Sequence, residues 1–343
     1  MEEILERIRM GGSVFEGLEK INAKKKLRIE NLNEISNTGK NFPFLDLDGS
    51  QEFLLTGRAS KASIFRVNGE GLEWVKNLGT DIVKQACWLP LDASICFSVE
   101  NDWLTMWDTN AGKIGFRHYF QDISKVVPHV DNQTLALLTG QRNSQLIDYL
   151  TGDVVFSIPS AFSVAQWSPA REEFFVTANE NECFLWDTRR LRNPIYSIGF
   201  LEKSGPYKKA KVENPINVYN DFFYVQCDRN KSMIWKVLDL KFSQDGRKVL
   251  IKTKKGLFWV DLMQALEDPE LIVREDCKTG FVVDSELGIL SAADKGMVRY
   301  DENGRVLQRL GFARDLCGLI EVSHLGIFYV VDDKCDVHKI CVE

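Results

Sequence analysis

Side chains able to do covalent or acid–base chemistry are few and scattered in this sequence. Histidine occurs at only four positions, 118, 129, 324 and 338. His118 and His129 sit near expected strand ends with no serine or cysteine nucleophile signature beside them. A general base without a nucleophile or an orienting partner has nothing to activate, so these residues read as surface or turn histidines. The chain has no glycine-rich phosphate loop, no H-E-x-x-H pair and no paired Cys/His ligand set. Its 8 cysteines (87, 96, 183, 227, 277, 317, 335, 341) form no C-x-x-C pair, and Cys87, Cys96 and Cys183 lie inside apolar runs. They read as small buried hydrophobes of a reducing compartment, cytosol or nucleus. Carboxylates are numerous but fall in turn-like stretches, where they satisfy backbone N–H groups. The expectation is a non-catalytic chain with no cofactor and no metal site.

Recognition chemistry remains, and its sharpest segment is 174–189, FFVTANENECFLWDTR. An apolar run, Phe174-Phe175-Val176, reads as a buried strand. A polar turn, Asn179-Glu180-Asn181-Glu182, leads to a second run, Cys183-Phe184-Leu185-Trp186, closed by Asp187-Thr188-Arg189. Two short β-runs that end in Trp-Asp are the inner strand pair of a WD40 blade. The exposed candidate is Arg189, whose planar fork suits carboxylates and carbonyls across an interface. Other basic groups, Lys24-Lys25-Lys26-Arg28, Lys208-Lys209-Lys211, Lys252-Lys254-Lys255 and Arg189-Arg190-Arg192, are short and separated in a chain of net charge -6. A nucleic-acid binder concentrates such charge on one face, so these read as solvated turns and direct nucleic-acid binding is not expected; a local patch for DNA, RNA or an acidic partner tail is the alternative.

The elements that carry this segment repeat along the chain. With the Trp position of each unit as the marker, Arg66, Trp107, Ile147 and Trp186 are spaced 41, 40 and 39 residues apart. Val260, Tyr300 and Ile340 continue the series at intervals of 40. A WD40 blade is about 40–45 residues long. The fold expected is all-β, a seven-bladed WD40 β-propeller with an N-terminal helical segment. Trp186 to Val260 spans 74 residues, and the surplus at 201–235 reads as an insertion, with an extra degraded blade as the alternative. The last unit lacks an outer strand; the alternating segment 25–32 is placed to supply it and so to close the ring. No Gly-His pair occurs, so the polar networks that tie many WD40 blades to their Trp are expected to be largely absent.

Residues 1–24 read differently. Ile4, Leu5 and Ile8 share one helical face, and Val14, Phe15, Leu18 and Ile21 share another, with Gly11-Gly12 between them. Ser13 and Glu16 have capping-box spacing. This is an amphipathic helix-turn-helix preceding a propeller at 25–343. Its charge makes it too polar for a secretory signal, and no apolar run approaches the roughly 18 residues a membrane span needs.

The 174–189 stretch resembles the DWD box, a sixteen-residue WD40 variant in which Trp-Asp is followed by one residue and then Arg. It departs from that pattern at Val176 and Glu180, where a small residue and Asp are usual. The segments LTMWDTNAG, SVAQWSPAREEFFVTANENECFLWDTRRL and VLDLKFSQDGRKVLI are similar, in sequence and order, to blades of Cockayne syndrome A-type WD40 substrate receptors of cullin-4 ubiquitin ligases. The resemblance implies a nuclear, non-catalytic receptor that docks to the damaged-DNA-binding-protein adaptor of the ligase. It further implies recognition of the transcription-repair coupling ATPase at stalled RNA polymerase II, during transcription-coupled nucleotide-excision repair.

The adaptor-binding residues it implies are Ile4, Leu5, Ile8, Arg9 and Phe15 of the N-terminal segment, with Trp186, Asp187 and Arg189. A helix this short gains stability by burial in a partner groove, with each large apolar side chain contributing on the order of 1.5–3 kcal/mol before ordering costs. Three alternatives stay open: a helix packed on its own ring, an Arg189 held in an ion pair within the ring, and a WD40 scaffold of another nuclear assembly (ribosome maturation or chromatin).

Overall fold

A computed structural model of the chain describes residues 26–30, 43–58, 60–180, 182–199, 236–243, 245–262, 270–274, 280–285, 287–301 and 303–342. These form seven four-stranded antiparallel sheets, the blades of a β-propeller. Blades 1 to 6 span residues 45–78, 83–119, 123–158, 164–199, 237–274 and 282–311, each a meander whose first strand is innermost. Blade 7 takes three strands from 316–342 and its fourth, Leu27–Glu30, from the start of the chain. Leu27 pairs with Val342 and Ile29 with Ile340. The expected closure is therefore observed, and Gln308 of blade 6 secures it from the side. Its amide accepts from Leu27 N at 2.8 Å and donates to Leu27 O at 2.7 Å.

The marker positions of the repeat all fall on third strands. Arg66 lies opposite Phe53, Trp107 opposite Cys96, Ile147 opposite Ala136 and Trp186 opposite Phe175. Val260, Tyr300 and Ile340 face Val249, Ile289 and Phe328 in the same way. Second strands such as Leu135–Gly140 and Ile327–Asp332 are buried along almost their whole length. A strand covered on both faces reads as a continuous apolar run rather than an alternation. The outer strands, such as Asp153–Ile158, are covered on one side only and are mostly exposed.

Among the described residues the core is divided into seven apolar clusters, one in each crevice between consecutive blades. The crevice between blades 4 and 5 joins Val176, Leu185 and Ile198 directly to Leu240, Val249 and Val260. Blade 5 thus follows blade 4 without an intervening sheet. The insertion at 201–235 and the helical segment at 1–24 lie outside the described residues.

The first strand of each blade pairs with only one neighbour, leaving an open backbone edge that needs other partners. Side chains from the preceding blade supply several. Trp88 N donates to Asp46 at 2.6 Å, Val126 N to Gln85 at 2.9 Å, Phe242 N to Gln166 at 3.0 Å and Val282 N to Asp239 at 3.0 Å. Lys84 and Lys125 donate in turn to the carbonyls of Ile123 at 3.1 Å and Ser163 at 2.9 Å.

Burial pushes the Asp46 carboxyl up to about 6, against the pull of the Trp88 N–H and of Lys241. Its folded value then exceeds the unfolded one of about 3.9, so between these two values the native state binds the extra proton and this group's contribution to stability falls as pH rises. Asp46→Asn keeps an acceptor for Trp88 N without the charge. Urea titrations should show the parent losing ground to this variant as pH rises from 4 to 7; a constant difference would contradict the assignment.

Candidate docking site on blade 4

The Trp-Asp-x-Arg segment occupies one end of blade 4. Its second strand, Phe174–Ala178, pairs with its third, Glu182–Asp187, in the register Phe174–Asp187, Phe175–Trp186 and Thr177–Phe184. The Asn179 side chain fixes the turn between them by accepting from Glu182 N at 2.8 Å. Trp186 is buried and stacks on Phe175, with ring centres 6.0 Å apart and planes within 8°. Its Nε1 donates to Thr177 Oγ1 at 2.9 Å. Trp186 therefore supports the site from beneath and presents no surface of its own.

Asp187, also buried, caps a short 3-10 turn, Thr188–Arg190, by accepting from Arg189 N at 2.9 Å. The same carboxylate takes both arms of the Arg189 fork, Nε at 2.9 Å and Nη2 at 2.7 Å. The pairing holds the guanidinium above and the carboxyl below their ordinary values. Glu173 lies 3.6 Å from Nη2, and the guanidinium sits 5.9 Å from the centre of the Phe174 ring. Arg189 is thus in an ion pair within its own blade, one of the alternatives left open by the sequence, and its side chain is nonetheless 63% exposed. A bidentate pair fixes the orientation of an arginine. The result is a pre-aimed cation at the rim.

In an antiparallel meander the end of the first strand and the end of the third strand lie on one face of the ring, here the lower one. Neighbouring first turns touch there: His129 Nε2 of blade 3 is 2.7 Å from the Glu172 carbonyl of blade 4. Arg189 follows a third strand, so it lies on the lower face. Leu27 pairs with Val342 at the end of the third strand of blade 7, so the chain enters its closing strand from that face too. Ile4, Leu5, Ile8, Arg9 and Phe15 lie outside the described residues.

Two readings of the sequence need correction. Lys252, counted among the solvated clusters, is fully buried between blades 5 and 6 and donates to Ser291 Oγ at 2.8 Å and the Ala292 carbonyl at 2.9 Å. A Trp-centred polar network also exists in blade 2 without a histidine. Trp107 Nε1 donates to Ser98 Oγ at 2.8 Å, and Ser98 Oγ donates to the buried Glu100 at 2.7 Å. Glu100 in turn accepts from Thr80 Oγ1 at 2.6 Å and from the Thr80 and Asp81 amides. The sequence signal was a hydroxyl nine residues before the Trp, the separation seen in both blades 2 and 4.

His118 and His129 pack within the ring. His129 is buried and its Nδ1 accepts from the Asp131 and Asn132 amides, while the His118 ring lies 4.7 Å from that of Phe116. Cys87, Cys96 and Cys183 are packed in the apolar crevices, as expected.

Thr177→Val removes the acceptor for the buried Trp186 Nε1 at nearly constant volume. The loss expected is about 1–3 kcal/mol of stability, the cost of a buried unsatisfied donor, read from denaturant unfolding. A variant as stable as the parent would show that this hydrogen bond does not hold the segment.

Compared with known proteins, the chain matches no family model and no curated protein.

Proposed function

We propose that this propeller is a non-catalytic substrate receptor of a cullin-4 RING ubiquitin ligase. The observation that carries the reading is Arg189 of the Trp-Asp-x-Arg segment, held by Asp187 yet largely exposed on the lower rim. The chain enters its closing strand from that same face, and in this reading residues 1–24 and Arg189 act on one partner. In this reading Arg189, backed by Asp187 and Trp186, engages the damaged-DNA-binding-protein adaptor. Ile4, Leu5, Ile8, Arg9 and Phe15 bury in a groove of that adaptor. The role that follows from the sequence resemblance is nuclear: recognition of the transcription-repair coupling ATPase at stalled RNA polymerase II, in transcription-coupled nucleotide-excision repair.

Affinity purification from cells tests the reading. The parent chain should bring down the adaptor, and Arg189→Ala combined with Leu5→Glu and Ile8→Glu should lose it. The melting temperature is read alongside, because Arg189→Ala leaves the buried Asp187 carboxylate without its guanidinium; Leu5→Glu with Ile8→Glu alone, which spares that pair, should also lose the adaptor. Adaptor that still co-purifies with the triple variant would refute the docking role. A parent chain that brings down another nuclear assembly and no adaptor would favour a WD40 scaffold instead.

A further inference from the structure

The lower face is electrically divided. Around blades 1 to 3 its turns and strand ends expose the carboxylates of Glu52, Glu70, Asp92, Asp108, Asp131 and Asp153, with Lys113 and Arg66 as exposed cations among them. Blade 4 reverses the sign. Its two lower turns expose Arg171, Arg189, Arg190 and Arg192. Of the three carboxylates beside them, Asp187 and Glu173 are already turned toward Arg189, leaving Glu172 exposed. Arg171 and Arg189 flank the Phe174 ring at 5.6 and 5.9 Å, which orders both guanidinium groups by cation–π contact. The Arg190 and Arg192 side chains are exposed and in no ion pair among the described residues, although the Arg190 charge is felt by Asp187. Ile195, 53% exposed, adds an apolar anchor beside them.

An arginine cluster set beside the acidic turns of blades 1 to 3 does more than attract. It accepts an acidic element in one place, while the carboxylates of blades 1 to 3 repel the same element elsewhere, so it fixes how a partner is oriented. We infer that the rim of blade 4 takes an acidic segment of a protein partner, with Arg190 and Arg192 steering its approach and Arg189 receiving it. This rests on the docking role proposed above and names the chemistry of the surface that the adaptor must present there. Protein rather than nucleic acid is favoured because the surrounding carboxylates would face any phosphate backbone extended beyond the four arginines.

Association kinetics with purified adaptor test the inference. For the parent chain the association rate should fall as salt rises. Arg190→Glu with Arg192→Glu should slow association about tenfold at low salt and flatten the salt dependence, since charges at a rim act on the on-rate. Both side chains are exposed, so an unchanged melting curve separates this effect from misfolding. Poly-glutamate should compete with the adaptor, and duplex DNA of equal charge should compete less well. Kinetics identical to the parent's, or stronger competition by DNA, would overturn the inference while leaving the docking role standing. A parent chain that binds no adaptor at any salt would remove both.

Discussion

A blade of this propeller is apolar on both faces, so it can be stable only between two others. That requirement governs the ring. Each crevice between blades buries its own cluster of aliphatic and aromatic side chains, and an array that ended in the open would leave one cluster half exposed. The contact between blades 7 and 1, where Tyr329 and Val331 meet Leu54 and Phe65, therefore matters to every other crevice. Closure is completed by pairing across the two ends of the chain, Leu27 with Val342, with Gln308 clamping the closing strand from blade 6.

The polar interior follows from the same geometry. Stacking blades side by side leaves the inner edge of each first strand without a β partner, and the preceding blade answers with Asp46, Gln85, Gln166 and Asp239. Two of these are carboxylates whose pKa burial raises, so the ring tolerates charge in order to satisfy its backbone. Lys252 does the equivalent between blades 5 and 6, reaching Ser291 and Ala292. The tie at Trp107 shows that a glutamate can stand where no histidine is available, since Glu100 collects donors from both Ser98 and Thr80.

What the sequence disclosed and what it hid divide along one physical line. The third strands were legible because each must place a side chain at the same depth against its second strand, so Arg66, Ile147 and Tyr300 stand in register with Trp107 and Trp186 despite different chemistry. The closing strand was legible because an unfinished last unit demands a partner. Lys252 was not, because its acceptors lie 39 and 40 positions away and become neighbours only when the blades stack. Glu100 was missed for a similar reason: it gathers donors from Thr80, 20 positions back on the connection from blade 1. At the candidate site, the identity of Arg189 was readable, but its fork onto Asp187 and its exposure were products of the capped turn.

The docking role proposed for the lower rim rests on a buried Trp186 and Asp187 that hold an arginine outward. Hydrogen–deuterium exchange of the full chain with and without the ligase adaptor tests that most directly. Slowed exchange is expected at 186–195 and at 1–24 in the complex, with the turns of the opposite face unchanged. Protection confined to the opposite face, or none at either segment, would contradict it.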